Sequence, residues 1–541
     1  MAQQPAIAVG QTLPGVLTQQ AQSRPHRAFV IDRGVAVTYS ALDEESRRVA
    51  RALLELGVKS GDRVAVWLPN VPAWLTCFIA CVRLGAIVVA LNTRFRSSEI
   101  ADVIKRSGAK VLIFWPRFKD VDLQRILADV DPESLALLET IIVYDEDEPG
   151  RITDVAEIAP TKRVHNYGDL VKAAALDVDL GAPELGCVIF TTSGTTRAPK
   201  FVLHNQLALL RHAHDVASNF GLQTESTILV NVPFAGIFGF CQATASLVAG
   251  AAMATSPIFS AQESMRSIAS HHITHIVASD VMIDRFLAAA SGPRPFASVK
   301  FCAYAVFTPG LEDIGSRAEA RGLKLVGVYG SSEVQALFAR QSETASLEER
   351  VEKGGRPMAA EAHVRVRDTD TGQLLAHRGE GELEIKGPSL MVGYFGDPNA
   401  SADAITPDGY FRTGDLGYTL PDGRFVYIAR LGDTLRLGGF LVSPAEIEAV
   451  VQEHPSVKEC QIVGVEAGHD WRAFAFVIAE PGHLIEETEI ISYCVRRLAK
   501  SKVPVRVQQI DAFPVTEGAN ATKIQKGKLR KLAQETLGQI P

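Results

Sequence analysis

Several features that would assign this chain to a special class of protein are missing from its sequence. The seven cysteines are scattered and odd in number, and no two of them form a CxxC pair. Reduced thiols are therefore expected in place of disulfides or a zinc site. Lysine and arginine total 55 against 62 aspartate and glutamate residues. Because there is no basic surplus to neutralise phosphates, we expect no nucleic-acid partner.

Long uninterrupted apolar runs are also missing. The most apolar window, WLTCFIACVRLGAIVVAL, is broken by Arg83 and Gly85, which predicts a core helix followed by a buried strand and no integral membrane span. The first residues, MAQQPAIAVGQTLPG, lack a charged segment followed by a long apolar block, so no signal peptide is expected. We expect a cytoplasmic protein, and a homodimer is compatible with the sequence.

What the sequence does contain is a repeated order of helical and strand-like segments. YSALDEESRRVARALLELGV has apolar residues at helical spacing and a start signal at Ser40, and the strand-like DRVAVWL follows it. SSEIADVIKRSGA, a predicted helix that ends in a glycine signal at Gly108, and the short apolar run KVLIF repeat this order. The alternation predicts an α/β fold, with mostly parallel sheets covered by helices.

The pattern changes twice along the chain. After about residue 355, HVRVRDTDTGQLLAHRGEGELEIKG alternates in the manner of β-strands and is rich in turn residues, which predicts an antiparallel, barrel-like segment. From Ser443 onwards helical and strand patterns return over a length typical of a small domain. We predict a large N-terminal domain over residues 1–431 and a small α+β C-terminal domain over residues 432–541.

One loop has a composition suited to binding an anion. The stretch TTSGTTRAPK, from Thr191 to Lys200, follows the apolar run CVIF. Its hydroxyls and backbone N–H groups can surround an anion, and Lys200 adds a mobile positive charge. It is not a GxxxxGK[ST] loop, because no Gly-Lys-Ser/Thr run follows. On composition alone, an exposed flexible loop is an equally good interpretation.

Four later segments change that balance. They are VYGSSE, YFRTGDLG, ARLGDTLRLGG and EGANATKIQKGKLR. Together with the loop, in this order and at these separations, they resemble the motifs of the adenylate-forming superfamily, which includes acyl- and aryl-CoA ligases, peptide-synthetase adenylation domains and firefly-type luciferases. The resemblance runs over nearly the whole chain. It implies a site for ATP, a Mg²⁺ ion and coenzyme A.

The loop looks like the family's phosphate-binding loop. The resemblance implies contacts to the β- and γ-phosphates of ATP from this loop, whose candidate residues are Thr191, Thr192, Ser193, Gly194, Thr195, Thr196 and Lys200.

The segment YGSSE resembles the family's Tyr-Gly-x-Thr-Glu. The match implies that Tyr329 lies beside the adenine, that Gly330 is a further nucleotide-binding residue and that Glu333 holds the magnesium ion. Ser332 replaces the usual threonine and keeps its hydroxyl, and both Ser332 and Glu333 are candidate catalytic residues. The stretch AYAV, residues 303–306, lies where the family usually lines the adenine with a Gly-Ala-Pro-like strand.

Other matches concern the ribose and the second domain. Asp415 matches the aspartate that accepts both ribose hydroxyls, and Arg430 matches the arginine that reaches the ribose or a phosphate. The family's C-terminal domain is a mobile lid, and Gly432 stands at its hinge, where Asp or Lys is common. Gly438 and Gly439 would allow the backbone close to the thiol arm of coenzyme A.

Lys523 is the candidate catalytic lysine. TKIQK resembles the family's Gly-Lys-Ile-x-Arg/Lys, with Thr522 in place of glycine, whereas Lys526 and Lys528 suit a solvated helix. A carboxylate that attacks the α-phosphorus of ATP is repelled by the polyanion, and a cation contacting both groups in the transition state lowers that barrier.

The reaction that the family implies has two halves. A carboxylate attacks the α-phosphate of Mg-ATP to give an acyl-adenylate and pyrophosphate, and the thiol of coenzyme A then expels AMP. One alternative acceptor is the phosphopantetheine of a carrier protein. An alternative to the enzymatic function as a whole is a nucleotide-binding regulator without catalysis.

The acyl pocket is predicted from VPFAGIFGF, where Gly236 replaces the histidine or aromatic residue frequent in the family. Loss of that bulk favours a medium- or long-chain fatty acid, with an aromatic or alicyclic acid as the alternative. The candidate walls are Phe238, Tyr304, Val306, Val328 and Phe338.

The phosphate loop departs from the family at two glycine positions. Arg197 and Phe201 stand there instead. If Arg197 has positive φ, the strain is on the order of 1 kcal/mol; alternatively it adds a cation near the pyrophosphate. These departures suggest the inactive regulator, but the presence of Glu333, Asp415 and Lys523 together argues against it.

Overall fold

The computed structural model describes residues 10–119, 121–146, 155, 159–192, 199–306, 311, 313–431, 435–437, 440–442, 444–467, 470–498, 500–517 and 522–538. Within those ranges no helix is both long and apolar enough to cross a membrane.

The helices begin and end where the sequence changes from helix-favouring to turn residues. The α-helices are α1 (Leu13–Ser23), α2 (Tyr39–Glu55), α3 (Pro72–Arg83), α4 (Ser97–Ser107), α5 (Leu123–Ala128), α6 (Tyr167–Leu170), α7 (Gln206–Phe220), α8 (Ile237–Ala249), α9 (Ala261–Ser270), α10 (Asp280–Ala289), α11 (Ile314–Ala320), α12 (Leu347–Val351), α13 (Pro398–Ala404), α14 (Pro444–Gln452), α15 (Glu487–Val495) and α16 (Lys526–Gly538).

The strands are short and mostly apolar. They are β1 (Ala28–Asp32), β2 (Val35–Thr38), β3 (Arg63–Trp67), β4 (Ile87–Ala90), β5 (Val111–Phe114), β6 (Arg117–Phe118), β7 (Val121–Asp122), β8 (Thr140–Val143), β9 (Arg163–Asn166), β10 (Gly186–Thr191), β11 (Phe201–Asn205), β12 (Thr227–Val230), β13 (Ala252–Thr255), β14 (His275–Ser279), β15 (Phe301–Ala305), β16 (Leu325–Tyr329), β17 (Ala339–Arg340), β18 (Gly354–Pro357), β19 (His363–Arg367), β20 (Gly381–Lys386), β21 (Gly393–Tyr394), β22 (Phe411–Thr419), β23 (Phe425–Arg430), β24 (Leu435–Leu437), β25 (Phe440–Val442), β26 (Val457–Ala467), β27 (Asp470–Ala479), β28 (Arg506–Gln509), β29 (Val515–Glu517) and β30 (Thr522–Ile524).

Two large sheets carry the N-terminal part of the chain. One has eight strands in the order β21-β11-β10-β4-β3-β5-β8-β9, and its pairs from β10 to β9 are parallel. The other has thirteen strands in the order β19-β20-β22-β23-β18-β17-β16-β15-β14-β12-β13-β1-β2, with a parallel centre. The predicted α/β class with mostly parallel, helix-covered sheets is confirmed.

The predicted barrel-like segment is antiparallel, as the turn-rich sequence indicated. Its strands β17 to β20, β22 and β23 pair antiparallel with one another and form one end of the thirteen-stranded sheet, whereas β21 pairs with β11 in the eight-stranded sheet. The antiparallel part therefore extends the larger sheet, and it encloses a core of its own around Leu383, Phe411 and Phe425.

The side chains of the central strands alternate between different cores. In β10, Val188 and Phe190 face the core that contains α1, α2, α3, α7 and α8, whereas Ile189 faces α4 and α5. The outer face of the larger sheet packs on α9, α10 and α11. The result is a stack of five layers, helix–sheet–helix–sheet–helix, because successive residues of a strand point to opposite faces.

Two local details of the helices follow from their capping residues. The Thr38 side chain accepts a hydrogen bond from the N–H of Ala41, so α2 begins one residue before the predicted signal at Ser40. The predicted glycine stop of α4 is confirmed, since Gly108 adopts the left-handed conformation with φ of 61°.

The hydrophobic cores divide near residue 431. The apolar residues described between Leu435 and Leu537 form two clusters that contain no residue from the N-terminal sheets. Strands β26, β27 and β28 make a separate three-stranded sheet. This division supports the predicted boundary between residues 431 and 432, which stays a prediction because residues 432–434 lie outside the described ranges.

Candidate active site

The two ends of the hydroxyl-rich loop are held side by side. Strands β10 and β11 pair antiparallel, with Thr191 opposite Phe201. Beyond that pair, the N–H of Thr192 donates to the carbonyl of Lys200 at 3.0 Å, and the N–H of Lys200 lies 3.3 Å from Thr192 Oγ1. The loop is thus the connection of a β-hairpin. The predicted Ser193, Gly194, Thr195 and Thr196, and also Arg197, lie outside the described residues.

Lys200 is connected to Glu333 through a tyrosine. The Nζ of Lys200 lies 4.4 Å from the centre of the Tyr394 ring, and Tyr394 Oη donates to Glu333 Oε1 at 3.0 Å. Burial and the neighbouring Glu333 carboxylate raise the pKa of Tyr394, so its hydroxyl stays a donor. The structure therefore brings the predicted phosphate-loop lysine and the predicted magnesium ligand into one cluster.

Sequence reasoning missed Tyr394. It lies on the two-residue strand β21, which pairs with β11 so that Tyr394 stands opposite Val202. The segment around Tyr394, MVGYFGDP, reads as an ordinary turn-rich stretch. Only the long-range pairing of β21 with β11 shows that this aromatic residue reaches the base of the loop.

The turn after β16 is tightly folded. A Cβ atom at Gly330 would lie 1.9 Å from the carbonyl oxygen of Ala336, so the motif requires glycine there. Gln335 and Ala336 both have positive φ, 64° and 55°, which costs about 1–2 kcal/mol each. The Gln335 amide donates to the carbonyl of Ser389 at 3.1 Å, and the Cys241 thiol donates to the carbonyl of Gln335 at 3.2 Å. These bonds stabilise the strained turn that presents Glu333.

A buried histidine forms a hydrogen bond with the backbone of the same turn. His204 Nε2 lies 2.8 Å from the carbonyl oxygen of Ser332, and because a carbonyl only accepts, this nitrogen carries the proton. Burial lowers the pKa of His204 to about 4 and that of the neighbouring His212 to about 3. Both rings are therefore neutral at pH 7. Ser332 is fixed through its backbone, and its side chain is half-buried.

Tyr329, Asp415 and Arg430 form the second half of the site. Tyr329 Oη donates to Asp415 Oδ2 at 2.5 Å, and the Tyr329 ring packs edge-on against Phe425 with centres 5.1 Å apart. Asp415 and Arg430 are cross-strand partners on β22 and β23, with Arg430 Nη1 at 3.0 Å from Asp415 Oδ1. Arg430 Nη1 also donates to the carbonyl of Thr413 at 2.6 Å.

The Asp415 carboxylate keeps hydrogen-bonding capacity. Its side chain is buried, and no donor among the described residues is aligned with Oδ1 for a hydrogen bond, although Arg430 lies within ion-pair distance. Burial raises the pKa of Asp415, while Arg430 and Tyr329 oppose that rise. A buried acceptor without an aligned donor suits the two hydroxyls of a ribose.

The residues in this cluster fit the ligands that the motifs imply. Glu333 provides the carboxylate oxygens that Mg²⁺ prefers, and its second oxygen, Oε2, accepts no hydrogen bond that the structure describes. Lys200 contributes a positive charge beside it, Asp415 an acceptor, and Tyr329 an aromatic ring at the end of β16. The arrangement can hold a nucleotide whose polyphosphate points toward the hairpin loop.

The predicted acyl pocket is assembled only in part. Gly236 is buried and directly precedes α8, with an extended backbone, φ −118° and ψ 141°. Phe238 lies in the central core, which is the one that contains α1, α2, α3, α7 and α8, and Val328 packs against the same core. Ala305, which the sequence reasoning did not propose as a wall, also packs there.

Tyr304 and Phe338 lie in other cores than Phe238 and Val328 do. Because residues alternate along β15, the side chain of Tyr304 points to the outer core of the larger sheet, where its hydroxyl lies 3.3 Å from the carbonyl of Val351. Phe338 belongs to the core of the antiparallel end. Val306 is 37% exposed and adjoins residues outside the described ranges. We therefore do not retain Tyr304 or Phe338 as walls.

A group of aromatic rings lies against the first turns of α8. Phe240, whose N–H bonds to the carbonyl of Gly236, packs against Phe78 with ring centres 4.8 Å apart, against Phe190 at 5.4 Å and against Trp74 at 5.7 Å. All four rings are buried. Closely packed aromatic rings make a rigid apolar cluster around Phe240, one helical turn after Gly236.

Of the C-terminal candidates, only the backbone of Lys523 is described. Lys523 lies in the middle of β30, opposite Thr516 of β29. The side chain of Lys523 and the residues Gly432, Gly438 and Gly439 lie outside the part of the chain that the structure describes. Their placement relative to the N-terminal cluster stays a prediction.

Comparison with known proteins agrees with this geometry. Residues 17–395 match the family described as AMP-binding enzyme, and residues 446–519 match the AMP-binding enzyme C-terminal domain. The chain is 28% identical to the putative acyl-CoA synthetase YngI of Bacillus subtilis (strain 168), over 96% of each chain. It is 29% identical to 2-succinylbenzoate–CoA ligase of Geobacillus kaustophilus (strain HTA426), over 97% of this chain and 99% of that one. It is 27% identical to the mitochondrial medium-chain acyl-CoA ligase ACSF2 of Rattus norvegicus, over 98% and 88%.

Solved structures share the fold. ATP-bound MatB from Rhodopseudomonas palustris has a TM-score of 0.81 at 22% identity, covering 97% of this chain and 100% of that chain. The o-succinylbenzoate coenzyme A synthetase MenE from Bacillus subtilis, in complex with ATP and magnesium ion, has a TM-score of 0.78 at 25% identity, covering 95% and 98%. Since one family match spans more than half of the sequence and the second covers most of its C-terminal part, the chain belongs to the AMP-binding enzymes.

Proposed function

We propose that the protein is an AMP-forming acid–thiol ligase that converts a carboxylic acid into its coenzyme A thioester. The observation that carries the proposal is that two buried carboxylates, Glu333 and Asp415, lie at the end of β16, one in the turn that follows it and one bonded to its last residue. Glu333 is joined through Tyr394 to Lys200 at the hairpin loop, and Asp415 is bonded to Tyr329. Such a pair suits a magnesium nucleotide, with the ribose at one carboxylate and the phosphates at the other.

The first half-reaction forms an acyl-adenylate. The substrate carboxylate attacks the α-phosphorus of ATP, the bond to the bridging oxygen breaks, and pyrophosphate leaves. In this proposal Asp415 and Arg430 orient the ribose, and the hairpin loop with Lys200 holds the β- and γ-phosphates. A magnesium ion held by Glu333 would supply charge neutralisation at the phosphates.

The second half-reaction transfers the acyl group to coenzyme A. The thiol sulfur bonds to the activated carbonyl carbon, and AMP leaves with the electron pair of the broken C–O bond. We assign Lys523 to the first half-reaction and the glycines Gly438 and Gly439 to the approach of the thiol arm. Residues 432–541 would serve as a lid that turns at Gly432, because glycine permits large changes in φ and ψ.

The substrate acid is apolar in this proposal, and a medium- or long-chain fatty acid is favoured. Gly236 leaves room where bulk is frequent in the family, and the first turn of the helix that follows it carries Phe238 and Phe240 into an apolar core. A relative named as a medium-chain acyl-CoA ligase supports this choice.

An aromatic or alicyclic acid is the second candidate. Relatives of nearly equal similarity are named for such acids, namely 2-succinylbenzoate and a propanoate attached to a dioxo-octahydroindene ring, each at 29% identity. The rigid aromatic cluster around Phe240, one helical turn after Gly236, suits a flat ring as well as a chain.

A panel of carboxylic acids tests both parts of the proposal. The first measurement is acid-dependent exchange of labelled pyrophosphate into ATP, which requires only the first half-reaction. The second is release of AMP when coenzyme A, or in parallel a phosphopantetheinylated carrier protein, is added. Saturated acids of increasing length should be compared with benzoate and cyclic acids. If no acid on the panel supports exchange, the proposed function is wrong.

A further inference from the structure

The C-terminal arm of the hairpin loop is tied to a helix that is distant in sequence. Arg106, in the last turn of α4, donates from Nη1 and Nη2 to the carbonyl oxygen of Pro199 at 3.0 and 2.6 Å. Its guanidinium carbon also lies 4.1 Å from the centre of the Phe201 ring. One arginine thus contacts the residues on both sides of Lys200.

Phe201 explains how this contact arises. Phe201 stands where the resemblance predicts glycine, yet it is not among the residues with positive φ, so its backbone is unstrained. Its side chain is 2% exposed. It lies in the core between the eight-stranded sheet and α4, together with Ile100 and Val103 of that helix. The departure from glycine therefore joins the loop arm to α4 and gives the Arg106 guanidinium a ring to stack on.

The geometry limits the freedom of Lys200. Its backbone is fixed on one side by the pairing with Thr192 and on the other by the Arg106 bonds to the preceding carbonyl. Its side chain lies over the ring of Tyr394, whose hydroxyl donates to Glu333. A loop arm held in its binding conformation loses less conformational entropy when a ligand binds.

We propose that Arg106 is a positioning residue of the polyphosphate site: by clamping Pro199 and Phe201 it holds Lys200 in place for the pyrophosphate part of ATP. This inference rests on the proposed function, because it takes the ligand of the hairpin loop to be a polyphosphate. Arg106 acts through Lys200 and the loop. Its loss should weaken ligands with β- and γ-phosphates and leave AMP binding unchanged.

The test compares Arg106→Met with the parent protein and with Asp102→Asn. Methionine keeps an unbranched apolar stem but removes the bonds to Pro199 and the stacked cation. Asp102 forms an ion pair with Arg106 at 3.2 Å but none with the loop, so Asp102→Asn is the matched control. Dissociation constants for ATP, pyrophosphate and AMP are measured by calorimetry, and the KM for ATP is measured in pyrophosphate exchange.

For Arg106→Met we expect about tenfold weaker binding of ATP and of pyrophosphate, which corresponds to about 1.4 kcal/mol. AMP affinity and the KM for the acid should change less than about twofold, and Asp102→Asn should behave like the parent. Arg106→Lys keeps the charge but cannot stack or donate in a planar fork, so it should weaken ATP binding by an intermediate factor.

Equal weakening of AMP and ATP would indicate general damage and overturn the inference, as would parental ATP affinity in both Arg106 variants. If Arg106→Met does not fold, the Lys variant decides by the same ratio of ATP to AMP affinity. A parent that shows no acid-dependent exchange contradicts the proposed function, while the nucleotide-binding measurements still decide the role of Arg106.

Discussion

At the scale of single residues, the site contains two buried carboxylates with different partners. Asp415 is bonded to Tyr329 and paired with Arg430, whereas Glu333 receives its one described side-chain hydrogen bond from Tyr394. Each carboxylate therefore depends on a tyrosine for its position. The tyrosine beside Glu333 also lies under Lys200 and connects the two phosphate-side residues.

The hydroxyl of Tyr394 can be removed without removing its ring. Tyr394→Phe deletes the bond to Glu333 Oε1 and leaves the aromatic face next to Lys200. A hydrogen bond to a charged group contributes about 1.5–3 kcal/mol, so we expect pyrophosphate exchange to fall about tenfold or more. The Mg²⁺ concentration for half-maximal exchange should rise. Tyr410→Phe is the control, because Tyr410 stacks with Arg365 and not with the residues of this cluster. It should leave both the exchange rate and the Mg²⁺ requirement unchanged.

Gly236 allows a test of the acyl pocket. Its φ of −118° is open to any side chain, so a larger residue is not excluded by the backbone. Gly236→Trp should reduce turnover of long acids more than that of short ones, because the ring would fill space near Phe238 and Phe240. Gly236→Ala controls for the loss of glycine itself. Equal losses over all chain lengths would contradict the assignment of the pocket.

At the scale of elements, the turn between β16 and β17 is held by buried neutral histidines. His204 on β11 donates to Ser332, and His212 lies on α7, which follows β11 directly. Burial lowers the pKa of the two rings to about 4 and about 3, well below the usual value near 6.5. The unfolded chain therefore takes up protons at a higher pH than the native protein does.

The sign of this effect predicts a loss of stability in acid. Above pH 6.5 both states are neutral at these rings and no difference arises. As pH falls from 6.5 toward 4, each histidine lowers the free energy of unfolding by about 1.4 kcal/mol per pH unit. His204→Gln keeps an N–H donor for Ser332 but does not titrate, so urea unfolding at pH 7 and pH 5 should differ by roughly 2 kcal/mol less in this variant.

An exposed histidine provides the control for that measurement. His483 lies on the surface of the C-terminal part, and His483→Gln should show the parental difference between the two pH values. If His204→Gln also keeps the parental difference, His204 is not a buried neutral ring in solution.

At the scale of the whole molecule, the proposed chemistry needs residues from both parts of the chain. The described nucleotide residues Lys200, Glu333 and Asp415 lie in the N-terminal part of the chain, whereas Lys523 belongs to β30, beyond the division of the cores. If Lys523 serves only the first half-reaction, its removal should slow adenylate formation much more than thioester formation.

Lys523→Ala measures that difference. We expect pyrophosphate exchange to fall by about a hundredfold or more, because the cation that offsets carboxylate–phosphate repulsion is lost. Thioester formation from added acyl-adenylate and coenzyme A should change little. Lys528→Ala, at an exposed position of α16, should retain both activities. A Lys523→Ala protein that forms acyl-adenylate at the parental rate would remove Lys523 from the mechanism.

Much of the molecule was determined by local sequence. The periods of apolar residues and the glycine stop at Gly108 predicted the helices and parallel strands, since these signals act within one element. The ordered motifs predicted the family, and the matches over residues 17–395 and 446–519 confirm it. The identity of the acid, the catalytic role of Lys523, the cytoplasmic location and a homodimer stay predictions.

Tertiary structure alone decided which residues meet. Tyr304 was predicted as an acyl wall, but alternation along β15 turns it to the other face of the sheet, and Ala305 takes the central side. Tyr394 and Arg106 carry no local signal, because they reach the loop through a strand pairing and a helix packing with partners 93 or more residues away. Sequence periodicity fixes the face of an element, whereas contacts between distant elements depend on how the sheets and helices pack together.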